Sequence, residues 1–161
     1  MNTLIVYASK NGTTEKCVER LASLLENTYV VNLEESLPNT LDFDTIIIGG
    51  SIHYGTLNKS VRTFLDHNLQ ILLTKKVGLF LCCGMAEDVE KHFEANFPKP
   101  LLKEAIDIEY FGGEMDLDTL SGLDKLVVKM VMLTNRNLKE HPPEIINANI
   151  DRMARNIEEL A

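Results

Sequence analysis

Tryptophan is missing from this chain, aromatics of any kind make up only 6% of it, and basic residues are scarce, with 16 Lys and Arg against 24 Asp and Glu. The shortage of basic charge argues against a nucleic-acid partner, because phosphates need a basic footprint and the net charge here is −8. Such a balance suits a basic protein partner or a solvated acidic surface. The 3 cysteines, Cys17 and the adjacent Cys82-Cys83, form neither an even disulfide framework nor a C-x-x-C spacing. Reduced thiols and a cytoplasmic location are therefore expected. No stretch is long and apolar enough to span a bilayer, and no basic region with a cleavage site opens the sequence. No cluster of His, Cys, Asp and Glu has metal-ligand spacing, so no metal is expected. His67, His92 and His141 stand without paired ligands, and Glu87-Asp88, Asp116 and Asp118 read as solvated acids. A nucleophile with its base has no candidate either.

What is present is a regular alternation, without repeat, linker or low-complexity tract. Thr3–Ala8 is a continuous apolar run, as a strand buried on both faces requires. A helix over about Thr13–Glu26 carries Cys17, Val18, Leu21, Leu24 and Leu25 on its inner stripe. Thr28–Asn32 is a second strand, and Glu34–Asp42, broken by Pro38, is a connection rather than a full helix. Thr45–Gly49 is the clearest buried strand, and Asn58 caps a helix carrying Val61, Phe64 and Leu65. Val77–Cys83 is the fourth strand, Glu87–Phe97 a helix stopped by Pro98 and Pro100, and Ile106–Phe111 the fifth strand. The last helix spans about Pro143–Leu160 with Ile146, Ile150, Met153, Ile157 and Leu160 inward. Strands alternating with crossover helices predict an α/β doubly wound parallel sheet in one domain, residues 1–161. In such sheets ligands bind beyond the carboxyl ends of the strands, where strand order reverses.

The first of those ends is the most informative. Ser9-Lys10-Asn11-Gly12-Thr13-Thr14 brings hydroxyls, an amide, a glycine and the free N–H groups of a helix start to one turn. Such a turn holds a phosphate dianion without arginines. An ordinary N-capped βα turn uses the same residue types. The later ends, Gly50–Asn58, Gly84–Asp88 and Gly112–Thr119, each contain glycine, which lets a backbone approach a ligand or simply turns the chain.

The sequence resembles the flavodoxin family over essentially its whole length. Ser-Lys-Asn-Gly-Thr-Thr at 9–14 resembles that family's flavin mononucleotide (FMN) phosphate loop, with Asn11 where common flavodoxins have Ser or Thr. Ile-Gly-Gly-Ser-Ile-His-Tyr-Gly at 48–55 resembles its next flavin loop. More narrowly, the chain is similar to the menaquinone-dependent protoporphyrinogen dehydrogenases. The residues that carry this are Ser51–Gly55, and Gly112-Gly113 followed by the helix-like 122–133. The resemblance implies a flavodoxin-like five-stranded parallel sheet in the order 2-1-3-4-5, with helices on both faces. It implies FMN with its phosphate on Ser9, Lys10, Asn11, Gly12, Thr13 and Thr14. The ring would lie between Ser51, Ile52, His53, Tyr54 and Gly55 on one side and Cys83, Gly84 and Met85 on the other. Tyr54 is the stacking candidate, and amides near Gly84 and Gly113 are candidates for the flavin carbonyls. Without tryptophan, and with no aromatic in Cys83-Gly84-Met85-Ala86, one face of the ring should be less shielded than usual. A dinucleotide is disfavoured, since G-x-G-x-x-G needs three glycines where this loop has one.

Two function classes follow from the resemblance. One is an oxidoreductase passing electrons from a porphyrinogen or similar reduced substrate to a quinone. The other is a soluble carrier docking an acidic flavin rim on a redox partner protein. His53 is either a proton relay beside the flavin or an exposed loop histidine. The 122–133 segment has two readings as well. Its apolar residues either pack on the sheet or meet a peripheral membrane surface or partner, with Lys125, Lys129 and Arg136 alongside.

Overall fold

The structure, a computed structural model, describes residues 2–9, 12–84, 87–115, 117–118 and 120–160. Its strands are β1 (Thr3–Ala8), β2 (Thr28–Asn32), β3 (Thr45–His53), β4 (Thr56–Leu57), β5 (Lys76–Cys82) and β6 (Asp107–Tyr110). Its helices are α1 (Thr13–Leu24), α2 (Lys59–Leu72), α3 (Val89–Asn96), α4 (Lys99–Glu104), α5 (Gly122–Thr134), α6 (Arg136–Glu140) and α7 (Asn147–Leu160). The parallel strands lie in the order β2-β1-β3-β5-β6, with β4 added antiparallel to β3. With the two-residue β4 left out of the numbering, this is the 2-1-3-4-5 order expected from the sequence.

Helices cover both faces, and the side-chain period of the strands divides the core accordingly. Leu4, Val6, Ile46, Ile48, Leu79 and Leu81 face α2, α3 and α4. Ile5, Tyr7, Ile47 and Phe80 face α1 and α7, where Phe80 stacks on Phe111 with ring centroids 4.7 Å apart. Ile46, Ile47 and Ile48 are all fully buried, each contributing roughly 1.5–3 kcal/mol of transfer free energy.

Register aligns the carboxyl ends that matter. Ala8 of β1 pairs with Gly50 of β3, and Ser51 of β3 pairs with Cys82 of β5. The turns after β1, β3 and β5 therefore emerge side by side.

Several expectations are corrected. Residues 50–53 are not loop but continue β3, because Ile52 and His53 pair back onto Leu57 and Thr56 in a tight hairpin. Its two turn residues, Tyr54 and Gly55, have φ of 50° and 76°, the left-handed pair that a type I′ turn requires. Pro98 ends α3, but Pro100 sits in the first turn of a further helix, α4, where a missing N–H costs nothing. The last helix starts at Asn147 rather than Pro143. Residues 144–146 instead pair with the chain after β6: Gly113 N donates to Glu144 O at 3.2 Å and Ile146 N to Phe111 O at 2.8 Å. Of the two readings of 122–133 the structure favours the contact surface, for none of the 13 residues of α5 is buried.

Candidate functional site

The turn after β1 meets the start of α1 through Gly12. This residue caps the helix with φ 75° and ψ −12°, a conformation most side chains resist. Among the described residues, a Cβ built on Gly12 would meet no atom within 4 Å. Gly12 N donates to Ser9 Oγ at 3.1 Å, which fixes that hydroxyl and leaves its own hydrogen to give. The side chain of Thr14 is buried, and its hydroxyl has no partner but the Cys82 thiol among the described residues. A thiol is a weak hydrogen-bond partner, so a ligand oxygen would satisfy that buried hydroxyl better. Together with the unpaired first-turn N–H groups of a 12-residue helix, these residues fit a phosphate. Lys10 and Asn11, also expected here, lie outside the described residues.

Beyond the carboxyl ends of β3 and β5 is a cleft of about 660 Å³. Its floor and near wall are Ile52, His53, Tyr54, Gly55, Cys83 and Gly84, six of the residues expected from the sequence. The hairpin that carries four of them is held from α3, since Leu57 N donates to Asn96 Oδ1 at 2.8 Å and Asn96 Nδ2 to Gly55 O at 3.1 Å. Tyr54 is 70% exposed, with its ring edge-on to His53 at 4.8 Å between centroids. Tyr54 Oη donates to Asp124 Oδ1 at 2.9 Å, and His53 Nε2 lies 3.5 Å from Asp124 Oδ2. Ser121 Oγ donates to Asp124 Oδ2 at 2.9 Å. The hydroxyls of Ser121 and then Tyr54 hold the Asp124 carboxyl below its ordinary value, and the same bond to Asp124 raises the Tyr54 phenol.

Other expected residues take different parts. Ser51 stands at the end of the β3–β5 pairing, outside the cleft lining, and its carbonyl accepts from Asn58 N at 3.2 Å. The Gly113 amide is not available to a ligand, because it is bonded to Glu144 O. Gly113 instead permits a close crossing: a Cβ there would come within 2.7 Å of the Cys83 carbonyl carbon and 2.8 Å of Gly84 N. The Cys83 amide is also occupied, donating to Gly112 O at 2.9 Å. Tyr110 Oη donates to the Cys83 carbonyl, and burial pushes that phenol up to about 12. Met85 lies outside the described residues. Burial drives the Cys82 thiol well above its ordinary value, as suits a core residue rather than a reactive one.

The far wall was not expected. Val127, Val128 and Val131 of α5, with Met115, Leu120 and Leu138, line it, and Glu87, His92, Glu114, Asp124 and Asn135 complete the rim. The signal lay in the spacing. Asp124, Val127, Val128 and Val131 fall at i, i+3, i+4 and i+7, one helix face headed by a carboxylate. Leu123, Leu126, Met130 and Leu133 form a second stripe, exposed at 78%, 57%, 59% and 81%. Among the described residues no group of His, Cys, Asp and Glu is placed to hold a metal ion, and no helix is long and apolar enough to cross a membrane.

Comparison with solved structures places the fold among flavin proteins. A flavodiiron protein from Giardia intestinalis is 17% identical with a TM-score of 0.53, covering 68% of this chain and 30% of its own. The chain thus spans less than a third of that larger protein. A flavoprotein from Lactobacillus acidophilus, solved in complex with FMN, is 19% identical with a TM-score of 0.52, over 68% of this chain and 92% of its own. Two-electron reduced flavodoxin from Megasphaera elsdenii is 22% identical with a TM-score of 0.51, over 67% and 84%. No curated protein sequence matches this chain. The sequence profile of the flavodoxin domain (Flavodoxin_5) matches residues 4–141, from the first strand to the end of the segment that walls the cleft, and on that match the chain belongs to the flavodoxin domain family.

Proposed function

We propose that the protein binds FMN and is an oxidoreductase of the protoporphyrinogen dehydrogenase type, passing electrons in the cytoplasm from a reduced substrate such as a porphyrinogen to a quinone. Family membership supports FMN, and the Lactobacillus flavoprotein that shares the fold is bound to it. Ser9, Gly12, Thr13 and Thr14, with Lys10 and Asn11, would hold the phosphate. The ring would enter the cleft under Tyr54, between the hairpin and the Cys83-Gly84 turn. Bound flavin supplies the redox chemistry; the chain's residues orient it and exclude water.

The observation that carries the enzyme reading is the aliphatic far wall. A cleft of about 660 Å³ closed by Val127, Val128, Val131 and Leu138 resembles a small-molecule pocket, about 300–1,000 Å³ with a few polar groups among apolar ones. The exposed Leu123, Leu126, Met130 and Leu133 stripe, with Lys129 beside it, supports contact with an apolar, quinone-bearing surface at the cleft mouth. His53 lines the cleft with Nε2 3.5 Å from Asp124 Oδ2, a position that supports the relay reading of this residue over a purely exposed one. A second reading, a carrier docking on basic redox proteins, is favoured by the net charge of −8 and by Glu87, Glu114 and Asp124 at the rim. Anaerobic mixing of FMN-loaded protein with protoporphyrinogen and a soluble menaquinone analogue, read by porphyrin fluorescence, separates the two. Flavin-dependent porphyrin formation well above the protein-free rate is expected. Silence from fully loaded protein puts the carrier first.

A further inference from the structure

We propose that Asp124 is a positioning residue that sets the rotational register of α5, turning its valine face rather than its leucine face toward the cleft. The proposal builds on the reading of that cleft as the flavin and substrate site. α5 carries two apolar stripes. The valine face (127, 128, 131) and the leucine–methionine face (123, 126, 130, 133) are separated by roughly a third of a turn. Both are aliphatic, so hydrophobic burial, which is non-directional, distinguishes them poorly. The helix buries none of its 13 residues, and its closest packing is with α6 rather than with the sheet. Shape alone therefore holds it weakly.

The carboxylate breaks this near-symmetry. It belongs to the valine stripe by spacing, and it accepts from Tyr54 Oη at 2.9 Å on one oxygen. Its other oxygen accepts from Ser121 Oγ at 2.9 Å and faces His53 Nε2 at 3.5 Å. Ser121, the N-cap, thereby aims the carboxylate instead of capping the helix through its own oxygen. The opposite end of the link is a fixed post, because Asn96 holds the hairpin at Leu57 N and Gly55 O. Lys125 Nζ and Asp118, 3.7 Å apart with Asp118 95% exposed, add only a solvated pair on another side. Rolling α5 to present the leucine face would break the Tyr54 bond and carry the carboxylate away from the hairpin. A single polar contact fixing the register of an otherwise apolar helix has precedent in coiled coils.

The test uses the full chain with and without FMN, and three variants: Asp124→Asn, Tyr54→Phe and the double. Limited proteolysis within 121–141 reports how firmly α5 is held, and thermal unfolding reports the rest of the fold. Each single variant should speed cleavage at least about fivefold, as expected for loss of a charge-assisted hydrogen bond, with the unfolding temperature unchanged. The double should cleave no faster than the faster single, since both remove one link. Asp124→Glu, which keeps the carboxylate, should restore part of the protection. Cleavage within about twofold of the parent in both singles, or effects that multiply in the double, would overturn the proposal. Because the cleavage assay also runs without FMN, a parent chain that fails to bind flavin would refute the flavin reading and leave the register result to stand by itself.

Discussion

The β3 strand and the α5 helix are two of the most apolar stretches of this protein, and the fold treats them in opposite ways. Ile46, Ile47 and Ile48 are fully buried, while Leu123 and Leu133 are 78% and 81% exposed and no α5 residue is buried. Each face of β3 meets helices supplied by this same chain. α5 lends one stripe to a cleft and turns the other to solvent. Apolar content states that a segment gains from cover; it does not state who provides it. A central strand in a doubly wound sheet has its cover fixed by the right-handed crossovers on either side. A helix inserted after the last strand has no such obligation, and it is free to serve a ligand or a partner.

That contrast is sharpest under substitution. Ile47→Ala should cost about 2–5 kcal/mol in urea unfolding, because its site is enclosed on all sides and cannot collapse freely. A smaller loss would mean the sheet centre is less tightly packed than the structure has it. Next in size, the Thr13→Ala/Thr14→Ala double variant should weaken FMN binding at least about tenfold in a fluorescence titration, near the loss of one or two charged hydrogen bonds. Unchanged affinity would remove the β1–α1 turn from the site.

The α5 link should also answer to pH. A depressed carboxyl contributes stability above its unfolded value, about 3.9, and loses it as pH falls through the lower folded value. A raised phenol contributes below about 10 and loses it as pH rises through the higher folded value. The Asp124–Tyr54 link is therefore firm across neutral pH and weakens at both extremes. An NMR titration should find the Tyr54 phenol titrating lower in Asp124→Asn than in the parent; no difference would show that the bond is not formed in solution. Smallest of all, Met130→Ser should change unfolding stability by no more than about 0.5 kcal/mol, as exposed positions do. A large loss would return α5 to the core and erase the contrast with β3.

Much of this architecture was legible from periodicity. The apolar runs at 3–8 and 45–49 and the stripe Cys17, Val18, Leu21 describe elements whose cover is local or obligatory, and their placement followed. The hairpin was hidden because Gly50-Ser51-Ile52-His53 has no strong alternation, and only the pairing of Ile52 with Leu57 makes it a strand. The start of α7 was misplaced because Glu144 and Ile146 find backbone partners at Gly113 and Phe111, far away in sequence. The far wall of the cleft was hidden for a related reason: nothing in the sequence singles out Asp124 until Tyr54, seventy residues earlier, is seen to donate to it.

The sequence by itself determined the alternation of strands and helices, the parallel sheet they build and the turn between β1 and α1. These depend on local propensity, on the period of burial and on a chirality rule with few exceptions. The tertiary structure alone decided that Gly113 serves a backbone crossing, that Tyr54 and Gly55 form the turn of a hairpin, and that α5 walls the cleft with its valines. Those outcomes rest on contacts between residues distant in sequence, each requiring the rest of the fold to be in place before it can form.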